Sequence, residues 1–388
     1  MRGRRLAGFG AAAAAAAGLI ATPLLLEVRL ARPEQPARDS WQRSAISPRG
    51  QTMLGISFRP RQVEAFGLDG PETLDELLAY PFDLVRVAAY WNHIQGEPGE
   101  FDTDELDWQL EAIERSGKQA ILSVGAVKNF GYPEVFVPDH QLERPLAEGS
   151  LISPSTHAEL LDGATRFIRN IVDRYRDRTS IVAWQLEHEA VDPLGVEHSW
   201  RLSIDFVQRE LEALRSADPS RPVMMNGFLP MSSLVRLSQW WRTRDQGDSL
   251  AVATRLADIV GIDYYPRHAL LGVGSRTLYL DGGKLPWQRV LTKTVLDDVR
   301  KRGKRLMVSE GQAEPWEAVT LPPNPDQGAM FSCGPEDAIR NYNAAMEWSA
   351  HGEPIYAYLF WGAEYWILRK QSGDPSYLQA FARITERA

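Results

Sequence analysis

The chain has 388 residues and a net charge of −8. It carries no basic field over its length, which sets nucleic acid aside as a partner. Its single cysteine, Cys333, excludes an intramolecular disulfide and any cysteine-based zinc or iron–sulfur site. Twelve tryptophans provide core mass and, for some of them, flat indole faces on which a sugar ring can stack.

Met1-Arg-Gly-Arg-Arg5 is followed by an uncharged run from Leu6 to Leu26. A positive start before an apolar stretch is the layout of an export signal, and this stretch is long enough to span a bilayer. No clean small-x-small cleavage site follows it, so residues 1–30 are expected to be a signal peptide or an uncleaved anchor. The three arginines would stay cytoplasmic and the remainder would lie outside, secreted or anchored, touching the membrane only through this segment. Residues 31–50 are rich in Pro, Arg, Ser and Gln without a period and suggest a flexible linker. A single folded domain is expected over residues 51–388.

From Met53 on, short apolar runs alternate with helical patterns. The runs are Leu54–Phe58, Asp83–Ala89, Gln119–Val124, Ile181–Leu186, Pro222–Asn226, Ala257–Asp263, Arg305–Ser309 and Ile355–Phe360. Continuous apolar character suits parallel strands buried on both faces. Amphipathic stretches such as Asp104–Ser116, Leu160–Tyr175 and Ser203–Ser216 fill the gaps. Eight β–α units predict an α/β fold closed as a (β/α)8 TIM barrel, and no glycine-rich phosphate loop follows the first strand to favour a dinucleotide-binding sheet.

Catalytic groups of such a barrel sit at the C-terminal ends of its strands. Here the fourth strand runs into Glu187-His188-Glu189, the seventh into Glu310, the sixth into Asp263-Tyr264-Tyr265 and the eighth into Trp361. Glu187 and Glu189 are two apart, so alternation would point both to one side with Glu189 at the mouth. Two carboxyl groups from opposite walls can flank a glycosidic bond, one as a proton donor and the other as a nucleophile or base.

Ile181-Val-Ala-Trp-Gln-Leu-Glu-His-Glu189 resembles the Trp-Gln-x-Glu-Asn-Glu-Pro segment of the clan A glycoside hydrolases, closest to the family 5 cellulase and mannanase type. Lys304–Glu310, Phe360–Trp366 and the stretch from Leu84 through Trp91-Asn92 to Asp102 resemble that clan's seventh-, eighth- and second-strand segments. The resemblance implies a retaining glycosidase acting on β-linked sugars, and the N-terminal segment places its substrate in an extracellular or envelope polysaccharide; no cofactor or metal is expected, and a monomer is the default. It implies Glu310 as nucleophile and Glu189 as acid/base, the latter with its pKa raised by burial and the Glu310 charge. Tyr265 and Arg86 would contact Glu310, and Trp361 would floor a sugar subsite. Trp91 and Asn92 above the second strand, and His188 beside the acid/base, would touch substrate.

The sequence departs from the clan at His188, where Asn is usual, at Ala190 in place of Pro, and in lacking the third-strand histidine of family 5. These differences bear on which sugar is bound. A catalytically inactive glycan-binding barrel and a transglycosylase of envelope assembly are the alternatives, the first disfavoured because both carboxylates are present.

Overall fold

The computed structural model describes residues 26–31, 39–131, 134–142, 144–193, 200–273, 276–283, 285–316, 332–349 and 354–387. In chain order its strands are β1 (Val28–Ala31), β2 (Met53–Ser57), β3 (Leu84–Ala88), β4 (Gln119–Ser123), β5 (Leu151–Ile152), β6 (Ile181–Gln185) and β7 (Arg201–Leu202). They continue with β8 (Val223–Phe228), β9 (Ile259–Tyr264), β10 (Arg267–Val273), β11 (Arg276–Asp281), β12 (Arg305–Gln312) and β13 (Ala357–Trp361). Eight of them close a barrel in the order β12-β13-β2-β3-β4-β6-β8-β9, every pair parallel. All eight apolar runs of the sequence are barrel strands, and the fold is the expected (β/α)8 barrel.

Alternation sorts the strand residues into two environments. One set, including Val85, Val87, Leu122, Trp184, Val223, Val260 and Val308, faces outward into the core shared with the surrounding helices. The other set faces the barrel axis, where Leu84, Ile121, Ala183, Met224, Ile259, Met307, Ala357 and Leu359 form a separate buried plug. The lower barrel is therefore solid, and chemistry is confined to the strand ends above it.

The surrounding helices follow their sequence signals. Leu160, Ala164, Phe167, Ile168, Ile171 and Val172 lie on the buried side of the helix Ala158–Tyr175. Ser203 caps the helix Ile204–Ala217 by accepting from the Phe206 amide, one of the donors a helix start leaves open.

Ordered contacts with the barrel begin earlier than residue 51. β1 pairs antiparallel with β11, which is hairpinned to β10 after β9. Glu27 is fully buried and accepts bonds from Ser232, Ser233, Trp287 and Gln288. Further along, Trp41 is buried beneath Arg383, and the Ser47 amide bonds the Asn343 side chain. This corrects the expectation of a flexible linker throughout 31–50. A four-residue strand and a single aromatic plug leave no hydrophobic period for the sequence to display. Among the described residues no helix is long and apolar enough to cross a membrane, and residues 1–25 lie outside them.

If Trp41 holds this segment to the barrel, Trp41→Ala should lower unfolding stability by about 3–5 kcal/mol, the usual loss for a buried aromatic. Denaturant unfolding followed by circular dichroism checks it; an unchanged midpoint would mean that the segment is only draped over the barrel.

Candidate active site

Two residues above the apolar plug, on the same inward face, the strands turn polar. Arg86 follows Leu84, Ser123 follows Ile121, Gln185 follows Ala183, Asn226 follows Met224 and Ser309 follows Met307. All five are buried. Arg86 is the centre of this layer. Its guanidinium donates to Gln185 Oε1 at 2.6 Å, to the Ser309 carbonyl at 3.3 Å and to Glu310 Oε1 at 2.8 Å. It also lies 3.9 Å from the centre of the Phe130 ring, a cation–π contact.

Glu310 stands on a bulge. The register of β12 slips between Val308 and Glu310 against β9, and between Val308 and Gly311 against β13. Such an irregularity re-aims one side chain at the rim of a sheet. Gly311 is required there, because a Cβ would lie 2.3 Å from the Tyr358 ring. Tyr265 donates its hydroxyl to Glu310 Oε2 at 2.7 Å. Burial would raise the Glu310 carboxyl, but the facing His188 and Arg86 and the bonds from Arg86 and Tyr265 hold it below the usual carboxylate range. His188 itself is pushed down to about 3, by burial first. Its imidazole is thus neutral at pH 7, and the charge on Glu310 rests on Arg86 and Tyr265.

β6 ends at Gln185, and the chain then coils tightly. Glu187 and Glu189 take positive φ, 54° and 42°, which non-glycine residues rarely adopt. Alternation therefore fails here, and the two glutamates diverge. Glu187 turns away from the mouth and accepts the amides of Val127 and Lys128. Gly125 permits this approach, since a Cβ on it would meet the Glu187 nitrogen at 2.2 Å. Lys128 closes the same turn from the other side. Its buried ammonium donates to the carbonyls of Glu189 at 2.7 Å and Asp192 at 2.8 Å.

Glu189 is left facing the cavity. Burial raises its carboxyl well above the usual range, with Asp263, Asp192 and Glu134 adding to the rise and Lys128 opposing it. The acidic neighbours with the largest effect are thus other than the expected Glu310. The shift favours the protonated form of Glu189 and the opposite shift favours the ionised form of Glu310.

The cavity has a volume of about 230 Å3 and is lined by both glutamates, His188, Tyr265, Trp361 and Glu134, among others. A larger one, about 1000 Å3, lies between the helices Pro286–Lys301 and Pro335–Ser349 and contains none of the strand-end carboxylates. His188 Nδ1 is 2.9 Å from Asn226 Nδ2, so it accepts and its Nε2 carries the proton. Trp361 is held from behind by Arg59, 4.2 Å from its ring centre, and Arg59 is itself buried in ion pairs with Glu314 and Glu364.

Two expected substrate contacts lie elsewhere. Trp91 is fully buried, stacks on Phe167 and donates to Gln95, so its indole serves the core. Asn92 is the second residue of the short helix Trp91–Ile94, its amide on the Phe136 carbonyl, and is not among the residues lining the cavity. Both follow a strand end in sequence, but the chain turns into a helix at Trp91 and carries them off the rim. Other lining residues were not anticipated as cleft groups. Glu134 and Phe228 belong to loop and strand-end positions without a motif, and His268 comes from the β10–β11 hairpin. Burial raises Glu134 to about 7, with Glu310 adding to the rise.

His188, Asp263 and Glu310 bring ligand atoms within 4.8 Å of one another, the spacing of a metal site. Each is already engaged: Glu310 by Arg86 and Tyr265, Asp263 by Ser309 and Asn226, His188 by Asn226. Arg86 supplies the positive charge that a cation would otherwise bring.

No known family model matches the chain, and no curated protein does. Solved structures do match. The intracellular xylanase TsXylA from Thermoanaerobacterium saccharolyticum JW/SL-YS485 superposes with a TM-score of 0.52 at 14% identity, over 81% of this chain and 86% of that one. A GH10 xylanase from Thermobacillus composti gives 0.50 at 15%, over 87% and 97%. The exo-β-1,4-mannosidase Op5Man5 from Opitutaceae bacterium strain TAV5 gives 0.50 at 17%, over 82% and 55%. The likeness is one of fold.

The opposed protonation states predict a bell-shaped pH dependence for any reaction that uses both groups. The acid limb belongs to Glu310 and the alkaline limb to Glu189. Tyr265→Phe removes a donor that favours the ionised form of Glu310, so the acid limb should move to higher pH. Glu134→Gln removes a negative charge near Glu189, so the alkaline limb should move to lower pH. Profiles of kcat/KM for the two variants test this; limbs that stay in place would assign the titrations to other groups.

Proposed function

We propose that the chain is a retaining glycoside hydrolase of the clan A type, cleaving β-linked sugars of an extracellular or cell-envelope polysaccharide. The observation that carries this is the unequal treatment of two carboxyl groups in one cavity. Arg86 and Tyr265 donate to Glu310 and hold its carboxyl low, whereas burial and acidic neighbours push that of Glu189 well up. A nucleophile and a general acid need those opposite states at the same pH. The structures whose fold the chain shares are named as xylanases and as an exo-β-1,4-mannosidase, which supports a glycosidase here.

In this mechanism Glu310 attacks the anomeric carbon while Glu189 gives its proton to the departing oxygen. Glu189, now a carboxylate, takes a proton from water as that water releases the sugar from Glu310. His188 Nε2–H offers a donor to a sugar hydroxyl, in the role the resemblance gives to Asn. Trp361 offers an indole face to the ring. Lys128 holds the turn that carries Glu189, and its charge opposes the rise of that carboxyl.

The test is turnover of a panel of aryl β-glycosides, pyranosides and furanosides, by the full chain and two variants. Glu310→Gln should abolish hydrolysis. Glu189→Gln should lower kcat by about 10²–10⁴-fold on substrates with a poor leaving group and far less on activated aryl glycosides, because only the former need the proton. Binding of glycans without turnover of any would favour an inactive glycan-binding barrel. Transfer to an added acceptor sugar in preference to water would favour a transglycosylase.

A further inference from the structure

Among the described residues eight large apolar side chains are exposed, and six of them belong to three segments that meet at one place. They are Leu26, then Leu237, Trp240 and Trp241, then Trp287 and Val290; Phe101 and Leu151 are the other two. The meeting point is the buried carboxylate of Glu27. It accepts from Ser232 and Ser233 at the start of the helix Ser233–Thr243, and from Trp287 and Gln288 at the start of the helix Pro286–Lys301. On the first helix Leu237, Trp240 and Trp241 share an arc of about 100° with Ser233 and reach about 12 Å along the axis from it. On the second, Val290 lies one turn beyond Trp287.

Basic side chains accompany this apolar face. Arg29 is exposed beside Leu26, Arg244 lies 4.3 Å from the centre of the Trp241 ring, and Arg289 is exposed between Trp287 and Val290. Tryptophans with arginines around them are the composition of a surface that sits at the headgroup level of a bilayer. The uncharged run Leu6–Leu26 joins the barrel at Leu26, in the middle of this face.

We propose that this face docks on an anionic phospholipid bilayer, so that the barrel lies against the membrane instead of hanging from it. The docking places the cavity close to the lipid surface. His268 lines the cavity from β10, and the sheet order β1-β11-β10 puts β1 only two strand spacings, about 10 Å, from the strand that bears it. The proposal rests on the anchor reading of Leu6–Leu26 and is independent of the glycosidase reading.

Residues 1–26 contain no tryptophan. Quenching of tryptophan emission by lipid therefore reports the barrel's own side chains. The full chain is reconstituted into liposomes of phosphatidylcholine and phosphatidylglycerol carrying bromine on the acyl chains near the headgroup. Flotation and emission are then read for the wild type and for the combined variant Trp240→Ser, Trp241→Ser and Trp287→Ser. Both proteins should float. Wild-type emission should be quenched by up to the share that three of twelve tryptophans contribute, and the variant should lose most of that quenching. Both should hydrolyse a soluble aryl glycoside equally. Flotation with unquenched wild-type emission would overturn the docking while leaving the anchor intact. Failure to float would overturn both. A face shielded from aqueous iodide in detergent, in a chain that runs as a dimer, would assign it to self-association and overturn the membrane assignment. Absence of hydrolysis by either protein would count against the glycosidase reading alone.

Discussion

The site depends on one buried charge. Arg86 projects from β3 into the barrel axis just above the apolar plug, where a guanidinium has no access to water. A cation in such a place must be paired and its donors engaged. The partners that do this come from different strands: Gln185 at the end of β6, Ser309 and Glu310 on β12. Meeting the demand of Arg86 therefore sets the ionisation of Glu310 and ties two walls of the barrel together beneath it. The remaining polar groups of the layer follow in a chain, Gln185 to Asn226, and Asn226 to His188 and Asp263. The imidazole is oriented by that same network.

The two carboxyl groups illustrate how placement alone separates chemically identical side chains. Both are buried, and burial pushes both upward. What differs is the supply of donors. Glu310 meets a guanidinium and a phenol, while Glu189 meets mostly other acids. The backbone around Glu189 is the more contorted of the two, with positive φ at both Glu187 and Glu189. Lys128, Gly125 and the amides received by Glu187 hold that conformation in place, so a strand end that would otherwise fray becomes a rigid support.

Much of this was legible in the amino-acid order. The strands were visible because each is a short apolar run between helical periods, and Glu189, Glu310, Tyr265 and Trp361 were marked by lying directly after such runs. The polar layer was legible in principle, since Arg86, Gln185, Asn226 and Ser309 each interrupt an apolar alternation at the same height, but only Arg86 was singled out. Trp91 and Asn92 misled because position after a strand does not reveal whether the chain stays at the rim or turns into a helix. Glu134 and His268 could not be found, since they arrive from a loop and a hairpin whose path no local pattern encodes. The docking of β1 and Trp41 was hidden for a related reason: each is held by partners hundreds of residues away.

That separation orders events during synthesis. β1 precedes the barrel in the chain, yet the strand with which it pairs among the described residues ends at Asp281, and the groups that receive Glu27 run from Ser232 to Gln288. Strand pairing of β1 therefore waits for β11, some 250 residues further along the chain, although Ser232 and Ser233 can receive Glu27 earlier. β1 is thus paired on the barrel only when the sixth barrel strand and its hairpin are complete.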